Sequence, residues 1–290
     1  RVFLAGGVPE VMLHLRELNL IDTNQRSVTG RTIDEELNEW EQSERRQRFR
    51  EILKEQDGVD PDEVILSPDR ALERGLTSTV MFPSGNLAPE GAVIKSTAID
   101  PSLVDEHGVY AHEGPAKVFT SEHAAIAAIK QNEIEAGDVL VVTGCGPIGT
   151  GMEETYQLTS ALKFLPFGKH VALVTDARFS GVSTGACIGH VGPEGLAGGP
   201  IGKLQNGDTI SIRLDRNTLE GTVNLVGENG ETFDVEEGAK RLAKRETRDD
   251  IAPHSALPDD TRLWAALQGV GGGTWGGCVF DVDQIVAKLQ

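Results

Sequence analysis

Apolar positions in the first quarter of the chain recur at helical spacing. Between Pro9 and Leu20 they fall at Val11, Met12, Leu15, Leu18 and Leu20, close to the 3.6-residue period, which predicts a helix. Thr32-Ile33-Asp34-Glu35 has the residue types of a capping box and predicts a second helix running through Trp40. Residues 41–57 (EQSERRQRFREILKEQD) alternate charge sign and read as a helix with a solvated face. Near residue 76 the pattern changes. Short apolar runs rich in Val, Ile and Thr then recur at Ala92–Ile94, Ala116–Phe119, Val139–Thr143, Val171–Thr175, Thr209–Ile212 and Thr222–Val226, and each predicts a strand. Two helices are expected between them, over Ser121–Lys130 and Glu153–Phe164. Asp138 and Asp208 each follow a glycine, as in a tight turn feeding a strand. The expected organisation is a helical piece, 1–76, and a β-rich α/β domain, 77–290, with no internal repeat.

Composition narrows the function classes. At 290 residues, 39% apolar and 25% charged, the chain has the make-up of a soluble globular protein with one large domain or two smaller ones. No run of eighteen apolar residues is present, so no membrane span is expected. The formal net charge of −18 argues against binding a nucleic-acid backbone. An acidic substrate would need a local cation to offset that field. Cys145, Cys187 and Cys278 are few and widely spaced, with no CxxC pair, which fits a reducing cytoplasm. Nothing in their spacing supports a cluster site. The chain opens on Arg1 and an apolar stretch, without a secretory pattern, and the expectation is a fragment of a longer cytoplasmic protein.

Three segments carry candidate chemistry. Val139–Thr143 runs into Gly144-Cys-Gly-Pro-Ile-Gly149, a GxGxxG after a strand, and Val171–Thr175 ends in Asp176. That outlines a dinucleotide-binding unit and an NAD-dependent oxidoreductase. Pro147 removes a donor from the loop, and Asp176 lies 27 positions past Gly149 rather than about 20. The same loop continues into Glu153 and Glu154 at a helix opening. There they either ligate a hard cation such as Mg²⁺ or complement the helix dipole. The third segment, Thr175-Asp-Ala-Arg-Phe-Ser180-Gly-Val-Ser-Thr-Gly185, places hydroxyls and glycines after a strand end. Ser180 can be a base there if a metal ion activates it; otherwise this is a polar turn with Arg178 pairing Asp176. The tail, Gly269–Gly277, holds six glycines around Thr274-Trp275. It is either a flexible loop or backbone packed closely against another surface.

Taken together, these motifs resemble the dehydratases that include dihydroxy-acid dehydratase and 6-phosphogluconate dehydratase. The resemblance rests on Val171-Ala-Leu-Val-Thr-Asp-Ala-Arg-Phe-Ser-Gly, then Gly185-Ala-Cys-Ile-Gly-His-Val-Gly-Pro-Glu194, Gly198-Gly-Pro-Ile and Asn206-Gly-Asp-Thr-Ile. Asn86-Leu-Ala-Pro-Glu-Gly-Ala-Val-Ile-Lys95, Gly114-Pro-Ala-Lys-Val-Phe119, Gly146–Glu154 and the opening Gly6-Gly7-Val8-Pro9 follow the same order. Gly75-Leu-Thr-Ser-Thr-Val, Gly151-Met-Glu-Glu-Thr-Tyr-Gln and Asp215-Arg-Asn-Thr-Leu-Glu-Gly look closest to the bacterial D-xylonate dehydratases.

The resemblance implies that 77–290 is a β-rich swivelling domain like the C-terminal domain of aconitase. Residues 1–76 would be the helical end of the preceding α/β domain. It implies removal of water from a 2,3-dihydroxy acid, here D-xylonate or a similar aldonate, to give a 2-keto-3-deoxy acid. In that scheme Mg²⁺ binds the substrate carboxylate and 2-hydroxyl, and an iron–sulfur cluster acts as Lewis acid on the 3-hydroxyl. A serine alkoxide takes the C2 proton. By position Ser180 matches the serine, and Glu154 matches the one Mg²⁺ ligand from this part of the family, with Glu153 as second choice. Arg178, Ser183 and Thr184 would line the substrate or support the site. Some relatives carry a hydroxyl two residues after the serine, where this chain has Val182 and then Ser183. The three cysteines do not match the family's cluster positions, so the cluster and remaining Mg²⁺ ligands are expected in a missing N-terminal domain. His190 and Glu194 are expected to be structural, and the whole protein to be a homo-oligomer. Phosphorylated or branched-chain acids are the rival substrates within the family.

Overall fold

The computed structural model describes residues 1–74 and 79–290, which form two compact units, Arg1–Thr77 and Ser78–Gln290. The expected boundary at residue 76, and most of the Gly75-Leu-Thr-Ser-Thr-Val motif, lie outside the described residues.

The first unit is helical: α1 (Val2–Ala5), α2 (Gly7–Glu17), α3 (Ile33–Gln42), α4 (Glu44–Asp57) and α5 (Pro68–Glu73). The Thr32 hydroxyl accepts from Glu35 N while the Glu35 side chain accepts from Thr32 N, so the capping box forms as the sequence predicts. Ala5, Leu37 and Leu53 are buried, and so is the carboxylate of Glu10. Arg46 donates to both oxygens of Glu10 at 2.8 and 2.6 Å, and Arg50 stands 3.4 Å away. Burial opposes the Glu10 charge, but the two guanidinium groups outweigh it and hold the carboxyl below its ordinary value.

The second unit is built on one curled, mixed sheet of nine strands. These are β1 (Val80–Met81), β2 (Gly91–Lys95), β3 (Val109–Phe119), β4 (Val139–Val142), β5 (Ala172–Thr175), β6 (Cys187–Gly192), β7 (Thr209–Asp215), β8 (Glu220–Glu228) and β9 (Glu231–Thr232). Their order is β1-β2-β6-β5-β4-β3-β7-β8-β9. The inner four, β6, β5, β4 and β3, run parallel, and antiparallel strands extend both sides. The sheet curls until the segment after β1 meets β8. There Ser84 N donates to Gly221 O at 3.0 Å, Val223 N donates to Ser84 O at 2.9 Å, and the Asn86 amide bonds both the N–H and the carbonyl of Leu225.

The curl produces two cores. Val139 and Val141 of β4 point into the enclosed core with Ala172 and Val174 of β5, Tyr110, Ile188, Ile210 and Leu225. Leu140 and Val142 point the other way with Leu173. On that side the helices α6 (Glu122–Lys130) and, after the one-turn α7 (Pro147–Thr150), α8 (Tyr156–Lys163) cover them through Ala125, Ala128, Leu158 and Leu162. Burial on both faces explains why β4 and β5 read as continuous apolar runs. Three further helices follow: α9 (Val235–Lys244), α10 (Asp259–Val270) and α11 (Val282–Leu289). No helix among the described residues is long and apolar enough to cross a membrane. The architecture is α/β, with crossovers that bring the C-terminal ends of the parallel strands to one rim.

Candidate active site

That rim carries all three sequence candidates, because ligands collect at strand C-termini in α/β sheets. Its anchor is Asp176, the first residue past β5, which is 1% exposed. Its carboxylate accepts from Gly144 N at 2.9 Å and Cys145 N at 3.0 Å, both in the loop after β4, and from Gly195 N at 2.8 Å after β6. One side chain thus ties together the ends of three parallel strands. Burial pushes its carboxyl above the ordinary range, against the pull of those backbone donors. Arg178 does not pair with it. The arginine donates from Nε to Met152 O at 3.0 Å and faces the Glu154 carboxylate at 3.7 Å.

The glycine loop is closed to a dinucleotide. Its helix, α7, is a single turn, and the site for an anion at its start is already filled by Glu194. That carboxylate accepts from Ile148 N at 3.0 and 3.1 Å through its two oxygens. A Cβ at Gly146 would lie 2.4 Å from Glu194 Oε2, so glycine is required for this internal approach. Asp176 is buried and committed, so it has no oxygen for a ribose. The sequence pattern mimics a nucleotide fingerprint because both need glycines where backbone meets an anion; here the anion belongs to the chain.

Glu194 is 6% exposed, and burial, with Asp176 nearby adding to it, raises its carboxyl from 4.5 to about 7. In the unfolded chain it titrates near its ordinary value, so between pH 4.5 and about 7 the folded chain binds the extra proton. The contribution of this group to stability is therefore fully present below 4.5 and is lost as the pH rises through about 7. The loss is on the order of 3 kcal/mol at about 1.4 kcal/mol per pH unit. Glu194→Gln keeps an acceptor for Ile148 N and removes the titration. Urea unfolding of this variant from pH 5 to 8 should show a flatter stability profile than wild type. An unchanged slope would contradict the assignment.

Glu153 and Glu154 do not open a helix. The helix α8 starts at Tyr156 and has no acid in its first turn. The segment before it instead pairs with the chain leaving β5: Arg178 N donates to Glu153 O at 3.1 Å and Thr155 N to Arg178 O at 2.9 Å, a short parallel bridge between Glu154 and Arg178. Backbone pairing explains why the carboxylates are set at the rim rather than on a helix dipole. Two residues past Arg178 stands Ser180, half-buried, its Oγ accepting from Val182 N at a long 3.4 Å. The preceding Phe179 packs edge-on against His190 of β6, with centroids 6.0 Å apart, which sets the direction of the loop. Val182 is exposed. Ser183, in contrast, is 4% exposed, and its hydroxyl bonds Thr159 of α8 at 3.2 Å. It pins the loop to the helix. Thr184 is exposed and lines, with Thr97–Pro101, Leu162, Leu165 and Lys169, a cavity of about 530 Å³ beside the loop.

Among the described residues no three His, Cys, Asp or Glu side chains gather as a metal cage. What the chain offers a hard cation is the rim carboxylate of Glu154, with Glu153 beside it in sequence. The loose pair with an exposed Arg178 leaves its oxygens available. That fits one ligand of a shared Mg²⁺ ion. The cysteines do not fit an iron–sulfur cluster, which needs thiolates gathered at one place. Cys145 and Cys187 are buried in the helix-covered core, and burial pushes both thiols up, Cys187 to about 12. Cys278 lies in the tail.

The glycine-rich tail is packed. Trp275 Nε1 donates to His190 O at 2.8 Å, and its indole lies against Gly91 and Gly192, where a Cβ on Gly192 would come within 2.2 Å of the ring. No local pattern in the sequence signals these contacts, since the partners of Trp275 are at least 83 positions away.

The family model for the C-terminal part of dihydroxy-acid/6-phosphogluconate dehydratases matches residues 63–259, and the chain belongs to this family. Among individual proteins, the chain is 63% identical over 290 residues to D-xylonate dehydratase YagF of Escherichia coli (strain K12), covering 100% of this chain and 44% of that protein. It is 60% identical over 290 residues to D-xylonate dehydratase YjhG of the same organism, covering 99% of this chain and 44% of the relative. A dihydroxy-acid dehydratase of Acetivibrio thermocellus is 40% identical over 220 residues, 76% of this chain and 35% of that protein. The chain thus spans less than half the length of these relatives.

Proposed function

We propose that this chain is the C-terminal part of a sugar-acid dehydratase that converts D-xylonate, or a similar aldonate, to a 2-keto-3-deoxy acid. The observation that carries the reading is the pairing of Glu153–Thr155 with Arg178, which joins a metal-type carboxylate and the Ser180 loop at one rim of the sheet. Substrate class is supported by identities of 63% and 60% to two D-xylonate dehydratases, against 40% to a dihydroxy-acid dehydratase. Both D-xylonate dehydratase matches also take in the tail beyond residue 259, where the family model stops.

In this reading Ser180 is the base. Its Oγ, as alkoxide, forms an O–H bond with the proton on C2. The C–H electron pair becomes the C2–C3 double bond as hydroxide leaves C3, and the enol tautomerises to the keto acid. Glu154 would hold Mg²⁺, which when bound supplies positive charge to the substrate carboxylate. Residues 77–290 would act as the swivelling, aconitase-like domain and 1–76 as the end of the domain before it. A cluster and the other Mg²⁺ ligands belong to the part of a longer protein that precedes this chain. The whole protein is assigned to the cytoplasm as a homo-oligomer.

Two results test this reading. The full-length protein should release 2-keto-3-deoxy acid from D-xylonate at a kcat/KM at least about tenfold above that for a branched-chain dihydroxy acid, as a difference of about 1.4 kcal/mol in transition-state binding requires. The reverse order would move it to the branched-chain substrates. Glu154→Gln should raise the Mg²⁺ concentration for half-maximal activity by about 10–100-fold, while Glu153→Gln changes it less than about threefold. If Glu153→Gln has the larger effect, the two roles are exchanged.

A further inference from the structure

The loop from Ser180 to Gly185 is tethered at three points. Ser183 bonds Thr159, Gly185 N donates to Ala98 O at 2.8 Å, and Lys95 donates from Nζ to Gly181 O at 2.7 Å. The last two tethers come from one short stretch at the end of β2, so residues 95–98 grip both ends of the loop. The first two join neutral groups. The Lys95 tether is different, because it sets a full positive charge on Gly181 O, in the Gly181–Val182 peptide whose N–H donates to Ser180 Oγ. Among the described residues no carboxylate pairs with this ammonium. The other cation at the rim, Arg178, donates to Met152 O and faces the Glu154 carboxylate. In a chain of net charge −18, a cation without a carboxylate partner, fixed on the residue next to Ser180, is a specific local feature. A positive charge within a few ångströms stabilises an oxyanion, and a donor already in place needs no rearrangement when the charge develops.

We propose that Lys95 is a positioning residue for Ser180: its ammonium fixes the Gly181–Val182 peptide, whose N–H faces Ser180 Oγ, and stabilises the negative charge on Ser180 Oγ that takes the C2 proton. The inference rests on the dehydratase reading above and names a residue that reading does not use. Lys95 itself exchanges no proton with the substrate.

The test uses the full-length protein with its metals loaded, D-xylonate, and D-xylonate deuterated at C2. Lys95→Met should lower kcat by about 10–100-fold with KM changed less than about threefold, and should raise the C2 deuterium isotope effect on kcat, because proton removal becomes the slower step. Lys95→Arg should retain at least about a third of wild-type kcat, because a cation that can donate to Gly181 O is kept. A purely structural tether would lower activity without raising the isotope effect. Lys95→Gln provides a second neutral variant should Lys95→Met fold poorly, and the thermal midpoint of each is recorded. Ser180→Ala is run beside them. If Ser180→Ala is inactive while both neutral Lys95 variants behave as wild type, the Lys95 proposal is overturned and the base assignment stands. A rise in KM with kcat and isotope effect unchanged overturns it as well, and assigns Lys95 to substrate binding. If Ser180→Ala is fully active, the base assignment and the Lys95 proposal fall together.

Discussion

Asp176→Ala should unfold the larger unit or leave it stable only in mild conditions. The substitution removes the acceptor for Gly144 N, Cys145 N and Gly195 N at once, in a place where water does not reach. Each stranded donor costs about 1–3 kcal/mol, so the total is roughly 3–6 kcal/mol after partial relaxation. A domain is stable by only about 5–15 kcal/mol, so most of the margin goes. Asp176→Asn keeps one carbonyl oxygen and turns the other acceptor into a donor facing backbone N–H groups. Its loss should be smaller than that of alanine, though still above about 1 kcal/mol. Urea unfolding followed by far-ultraviolet circular dichroism measures both. An alanine variant within 1 kcal/mol of wild type, on the order of an ordinary surface change, would show that the three strand ends do not depend on this carboxylate.

Ser180→Ala should lower kcat of the full-length protein by about 10³–10⁴-fold, the scale of a lost general base, with KM little changed. The fold should be unaffected. Ser180 Oγ makes one long contact, to Val182 N at 3.4 Å, and the loop keeps its tethers through Lys95, Ser183 and Gly185. A destabilised variant would contradict the separation of roles drawn here, in which Asp176 holds the rim and Ser180 acts on it.

Much of this architecture is legible in the amino-acid sequence, for physical reasons that differ by element. β4 and β5 are readable because they are buried on both faces and so must be apolar throughout. The capping box at Thr32 is readable because its chemistry is local. β6 is not legible as a strand. Its Cys187-Ile-Gly-His-Val-Gly carries two glycines and a histidine at positive φ, none of which favours a strand alone, and it forms because β5 and β2 flank it. The site is legible only in part. Ser180 and Glu154 stand out once the motifs are seen in order. The direction of each carboxylate is not, because it depends on backbone pairing across 24 positions for Glu154 and on closure of the loop against Ile148 for Glu194. Lys95 lies 86 positions from the carbonyl it holds, and no local pattern signals that contact. The glycine loop misleads for the opposite reason: its local pattern is right for an anion, and only the tertiary fold shows which anion.

The most direct measurement follows the C2 hydron. The full-length protein and its Ser180→Ala variant, matched for iron and Mg²⁺ content, are given D-xylonate deuterated at C2 under anaerobic conditions, and both keto acid formation and release of deuterium to water are recorded. The account predicts that wild type does both and that Ser180→Ala does neither above about a thousandth of the wild-type rate. Deuterium release and keto acid formation by Ser180→Ala at the wild-type rate would contradict it.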